Sequence, residues 1–88
     1  MQGTGKRFVY VLRSESDPTA HYVGCTSDVA NRVEWHNFGP DGQTRLNRPW
    51  HPVVVIEFSN EVTALRFERY LKSGSGRAFA KRHFAPDS

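Results

Sequence analysis

Five residues stand out by type and spacing: Tyr10, Tyr22, Arg32, His36 and Glu68. Arg32 and His36 are four positions apart in a segment that reads as a helix, so they stack on one side of it. At about 100° per residue both project within about 60° of Val29, on the side that Val29 and Val33 mark as apolar. Glu68 breaks the pattern of a second helix more sharply. Ala64, Leu65, Phe67 and Leu71 define that helix's apolar arc, and Glu68 projects inside it. A carboxylate turned toward a core needs a cation, hydrogen-bond donors or a metal, or it costs several kcal/mol. Glu68 is therefore a candidate metal-ligating or catalytic carboxylate. Each residue also has an ordinary structural reading. Arg32 and His36 can lie at the edge of the stripe and snorkel to water. Glu68 can pair with Arg32 or another cation, and Tyr10 and Tyr22 can be core aromatics. The combination in so short a chain favours a site.

The elements that must position these groups follow from the apolar pattern. Phe8–Leu12 is apolar on both faces and reads as a central strand carrying Tyr10. Asp17-Pro18 marks a turn, and His21–Gly24 reads as a hairpin partner that carries Tyr22 just before Gly24, where backbone can approach a ligand closely. Thr26-Ser27-Asp28 caps a helix from about Asp28 to Asn37, which Gly39-Pro40 stops. Residues 39–50 form a polar loop, long enough to be suspected of function. Pro52 opens a third strand, Val53–Phe58, whose unbroken apolar run predicts burial on both faces. Ser59-Asn60 caps a helix to about Lys72, Ser73–Gly76 closes it, and Arg77–Phe84 fits a short last helix. The expected fold class is mixed α/β, a three-stranded sheet in the order ββαβαα, with one domain over residues 1–88 and a core at about 7–84.

Composition narrows the function classes. The single cysteine, Cys25, excludes a disulfide framework or Cys-rich zinc module, and it reads as a small packed residue. No apolar run reaches the roughly 18 residues of a membrane span, and the first residues lack the apolar stretch of a signal peptide. The expected location is cytoplasmic. Net charge is +3, and all of the excess lies in the last third. From Thr63 onward six cations face two anions, whereas the first 62 residues carry six cations and seven anions. A local basic patch favours a polyanionic partner, nucleic acid first. A zinc site built on His21, His36, His51 and His83 finds no HxH or HExxH spacing.

With these residues in order, the sequence resembles the GIY-YIG endonuclease superfamily. Val9-Tyr-Val11 stands where that family has Gly-Ile-Tyr or a variant, and Tyr22-Val-Gly24 stands for Tyr-Ile-Gly. Arg32 and His36 follow Tyr22 by ten and fourteen residues, and Phe67–Lys72 resembles the family's metal-binding helix around Glu68. The likeness is to compact, stand-alone bacterial members related to the nuclease domain of the excinuclease of nucleotide excision repair. The first glycine of the GIY triplet is absent here. Cys25 stands where the excinuclease domain has lysine, and no asparagine follows the metal helix. The excinuclease's role in repair is not carried over.

The resemblance implies hydrolysis of DNA phosphodiesters. Glu68 would hold one divalent cation, Mg²⁺ or Mn²⁺, and Arg32 would offer bidentate donors to the phosphate. Tyr10 or Tyr22 would accept the proton of the attacking water, its phenol lowered by Arg32 and the metal, with His36 relaying. Lys72, Arg77, Lys81 and Arg82 would grip neighbouring phosphates, and the 39–50 loop, with Gln43, Arg45, Asn47, Arg48 and Trp50, would contact sugar or bases. Trp50 in that loop can equally cap the core beside Pro49 and Pro52. The alternative is a catalytically inactive nucleic-acid-binding module of the same fold.

Overall fold

The structure is a computed structural model that describes residues 5–40 and 42–84. Strand β1 (Arg7–Ser14) is the centre of a three-stranded antiparallel sheet. Strands β2 (His21–Thr26) and β3 (Trp50–Phe58) flank it. Helix α1 (Val29–Phe38) follows the hairpin, and a one-turn helix α2 (Gly42–Arg45) leads to β3. Helices α3 (Glu61–Leu71) and α4 (Gly74–Phe84) complete the chain. The ββαβαα order holds, with α2 as an added turn inside the stretch expected to be loop.

Strand alternation divides the core into two layers. Val9 and Val11 turn toward α3 and α4, where Ala64, Phe67, Leu71, Phe79 and Phe84 cover them. Tyr10 and Leu12 turn the other way, toward Trp50, Ala20, Tyr22 and Val33 of α1. Val9 and Leu12 are fully covered, which stabilises the fold by about 1.5–3 kcal/mol for each such side chain. The central place of β1 follows from its being apolar on both faces.

Three expectations need correction. Strand β3 begins at Trp50, because the Asn37 side-chain amide pairs with both backbone groups of Trp50: Nδ2 donates to its carbonyl at 2.9 Å and Oδ1 accepts its N–H at 2.6 Å. The unbroken apolar run of β3 does not mean burial on both faces. The strand is an edge, and Val55 stays 41% exposed. Ser73–Gly76 is not a closing loop but opens α4. Ser73 Oγ accepts the Gly76 N–H at 3.1 Å as an N-cap, and Gly76 must lack a Cβ, which would collide with the Tyr70 carbonyl. Among the described residues, no helix is long and apolar enough to cross a membrane.

Candidate active site between the hairpin and helix α1

Tyr10 and Gly24 are cross-strand partners in the β1–β2 hairpin. A Cβ built on Gly24 would fall within the Tyr10 ring, 2.9 Å from Cε1 and closer still to the hydroxyl. The bare strand at Gly24 is therefore where the phenol lies. This corrects the expectation that Gly24 leaves its backbone open to a ligand: Tyr10 takes that space.

From there the Tyr10 hydroxyl reaches α1, 3.0 Å from His36 Nε2. Both residues are about 1% exposed. Arg32 also hydrogen-bonds the phenol. A guanidinium can only donate, so the Tyr10 oxygen accepts from Arg32 while it pairs with Nε2 of His36. On its other side the His36 ring pairs through Nδ1 with Thr44 Oγ1 at 3.3 Å. Thr44 sits in α2, 1% exposed, and its carbonyl accepts Trp50 Nε1–H at 2.8 Å. The one-turn helix that the sequence pattern did not reveal thus supplies the far end of the chain Arg32–Tyr10–His36–Thr44.

Tyr22 completes the cluster. It is half-buried, its ring edge-on to His36 with centroids 4.6 Å apart, and 6.4 Å from the rings of Tyr10 and Trp50. No described residue hydrogen-bonds its hydroxyl. Arg32 is exposed, its guanidinium 4.8 Å from the centre of the Trp35 ring. Burial holds the Tyr10 phenol well above its ordinary value of 10.0. The neighbouring Tyr22 adds to the rise, Arg32 opposes it by charge and hydrogen bond, and Glu68 reinforces it. For Tyr10 this reverses the expected lowering, because desolvation outweighs the one guanidinium.

Glu68 comes from α3, on the opposite side of the sheet, yet its charge is felt at both Tyr10 and Cys25. Helix α3 packs against β1 and β2, with Cys25 of β2 in the same layer. The Glu68 side chain is 19% exposed and pairs with Lys72, Oε2 to Nζ 2.9 Å, across one helical turn. The cation expected for an inward carboxylate is thus Lys72 and not Arg32. Cys25 is half-buried against the α3 layer, its thiol pushed up by burial first and by Glu68 next. Among the described residues no three His, Cys, Asp or Glu side chains gather to hold a metal. The donor set is one partly open carboxylate, which fits a hard cation that keeps water and phosphate as its other ligands.

A family model described as the GIY-YIG catalytic domain matches residues 6–82. The chain belongs to the GIY-YIG family. That family is one of nuclease hydrolases, the class the sequence resemblance implied. The structure-specific endonuclease subunit slx1 of Talaromyces stipitatus is 43% identical over 65 residues, which are 67% of this chain and 17% of the relative. The protein of the same name from Candida dubliniensis is 33% identical over 87 residues, 91% of this chain and 29% of that one. The chain thus spans less than a third of these relatives. The solution NMR structure of the UPF0213 protein from Bacillus halodurans superposes with a TM-score of 0.55 at 27% identity, covering 92% of this chain and 88% of the other. The GIY-YIG fold class read from the sequence stands.

The remaining candidates divide. Lys72 touches Glu68, while Arg77, Lys81 and Arg82 are exposed on α4 with no described contact to the tyrosines. Asn47 lies beyond the far end of β1, its carbonyl accepting the Ser14 hydroxyl at 2.6 Å. Arg48 is not a free loop cation: Nε donates to the His36 carbonyl at 2.7 Å and Nη2 to that of Gly39, so it closes the C-terminus of α1. Trp50 is 5% exposed and caps the core. The side chain of Gln43 lies outside the described residues. Thr44 and Asn37 were missed. Their only sequence signal was a polar loop of unusual length following the helix that bears His36.

Proposed function

We propose that the chain is a metal-dependent endonuclease that hydrolyses DNA phosphodiester bonds, with Tyr22 as the base. The observation that carries this reading is the convergence of Tyr10, Tyr22, Arg32 and His36 in one cluster, with the charge of Glu68 on α3 felt at Tyr10. The relatives' name, structure-specific endonuclease subunit, supports a nucleic-acid substrate recognised by its structure. A divalent cation on Glu68, Mg²⁺ or Mn²⁺, would supply Lewis-acid charge beside the scissile phosphate.

The chain's own residues do the rest. Arg32 is exposed and its guanidinium lies over the Trp35 ring, so it presents donors to a phosphate oxygen. Tyr10 is sealed, hard to ionise and bonded to His36, so it is not the proton acceptor. Tyr22 is half-buried and no described residue bonds its hydroxyl, so it takes the proton of the attacking water. Lys72, Arg77, Lys81 and Arg82 hold flanking phosphates and make binding salt-dependent.

The test is incubation of supercoiled plasmid and of branched and single-stranded oligonucleotides with Mn²⁺ or Mg²⁺, the intact chain beside Glu68→Gln. Cleavage by the former and none by the latter supports the reading. Intact DNA in every lane with the folded wild-type chain favours the binding module.

A further inference from the structure

The outer side of α1 carries two aromatic rings that the fold leaves uncovered. Trp35 is 38% exposed and Phe38 81% exposed. They are three positions apart, so they neighbour one another on the helix surface. Both line an open groove of about 610 Å³ that runs along α1 and includes Arg32 and Asn31. The Trp35 ring already carries the Arg32 guanidinium on its face at 4.8 Å, which ties it to the cation assigned to the phosphate. Trp35 also meets the edge of His36, ring centres 5.6 Å apart. The groove is thus continuous with the catalytic cluster.

We infer that Trp35 and Phe38 form a stacking platform for an unpaired nucleobase next to the scissile phosphate. This rests on the nuclease reading and adds the substrate class, a nucleic acid with a single-stranded segment at the cleavage point. The chemistry of the groove selects this occupant. Aromatic rings stack on any base, an Asn amide can meet base edges, and Arg32 meets the phosphate that follows. A paired base has both faces in the stack and offers none to α1. Two carboxylates, Asp28 and Glu34, line the same groove, so the attraction comes from the rings and the local Arg32 guanidinium and not from its net charge. A second copy of the chain is a poorer occupant, since two rings fall far short of the roughly 1,200 Å² that a stable interface buries.

Binding is measured in EDTA with the full chain. The probes are a blunt DNA hairpin and the same hairpin bearing a short single-stranded tail, with 2-aminopurine placed at successive tail positions. Trp35→Phe and Phe38→Tyr keep a ring, while Trp35→Ala and Phe38→Ala remove one; circular dichroism verifies that all four are folded. Each ring lost weakens tailed-hairpin binding by roughly five- to a hundredfold, the range of one base–aromatic stack, and changes blunt-hairpin binding less than twofold. Quenching of 2-aminopurine at one or two adjacent positions disappears with Phe38→Ala and persists with Phe38→Tyr. Equal weakening on both hairpins, no weakening on the tailed one, or a wild-type dimer that Phe38→Ala dissociates overturns the platform. Plasmid cleavage in Mn²⁺ is scored separately. Cleavage with unaltered tail binding in the alanine variants sinks the platform alone, and ring-dependent quenching without any cleavage sinks the nuclease reading alone.

Discussion

The Tyr10 hydroxyl lies 3.0 Å from Nε2 of His36, and both side chains are closed to water. One strand and one helix are thereby pinned through a single buried hydrogen bond. It also separates the two tyrosines in function, because a buried phenol bonded to imidazole is not available to a water molecule. Tyr22, its neighbour across the cluster, has no such bond among the described residues.

Tyr10→Phe and Tyr22→Phe should therefore behave differently. Tyr10→Phe removes the buried bond to His36 Nε2, a loss of about 0.5–1.5 kcal/mol of stability readable by urea denaturation. Its single-turnover cleavage rate falls only modestly. Tyr22→Phe leaves stability nearly unchanged and lowers the rate by roughly 10²–10⁴, the contribution of a positioned general base. Comparable rate losses for the two variants, or the larger loss from Tyr10→Phe, would reassign the base.

Alkaline stability gives a second expectation. The folded state keeps Tyr10 neutral to a pH well above its ordinary 10.0. The unfolded phenol ionises at the ordinary value, so this contribution is fully present below pH 10.0 and is lost as pH rises from there toward the folded value. Urea midpoints measured through this range should fall for the wild-type chain and fall less steeply for Tyr10→Phe. Parallel curves would mean that Tyr10 is not the group concerned.

Thr44 is a positioning residue in this scheme, because it touches His36 and not the substrate. Thr44→Val keeps the shape and removes the hydroxyl that pairs with Nδ1 of His36. The expected result is a drop in kcat of about tenfold with KM little changed, below the roughly 10²–10⁴ of a group that itself moves the proton. The pH–rate profile should shift as well, since the imidazole loses a group that stabilises one tautomer. Thr44→Ser restores the hydroxyl and should restore both. Loss of stability with an unmoved pH profile would reduce Thr44 to a packing role.

Much of this was legible in the sequence because it depended on strong local signals. The apolar run Phe8–Leu12, its turn and the short run His21–Gly24 marked a hairpin, and the Asp28 and Asn60 caps placed α1 and α3 to within a residue. Arg32 and His36 were conspicuous because they lay on an apolar side. The rest was hidden for a physical reason: it depends on contacts between distant segments. Nothing local says that Arg48 closes α1 from ten residues downstream of Phe38, or that Asn37 imitates a strand partner for Trp50. Gly24 was noticed as a glycine, but only the cross-strand register shows that Tyr10 needs it. Ser73–Gly76 read as a breaker because its glycines are poor helix formers. Close packing of α4 on Tyr70 overrides that preference.

The pairing of Glu68 with Lys72 leads to a final expectation, on metal affinity. A cation approaching Glu68 must displace an ammonium 2.9 Å away, and the pair is partly open, with Lys72 53% exposed. An exposed pair of this kind is worth at most about 1 kcal/mol, so it tunes the site without blocking it. Lys72→Met removes the competing charge while keeping the length of the side chain. Mn²⁺ titration followed by electron paramagnetic resonance, without DNA, should show affinity rising by roughly two- to fivefold, the equivalent of such a pair. Glu68→Gln should abolish the same binding. DNA affinity in the absence of metal should move the opposite way in Lys72→Met, because Lys72 is then missing from the phosphate grip. If Lys72→Met leaves Mn²⁺ affinity unchanged while Glu68→Gln still removes it, the ammonium does not compete for the carboxylate. If neither variant changes Mn²⁺ binding, Glu68 is not the ligand.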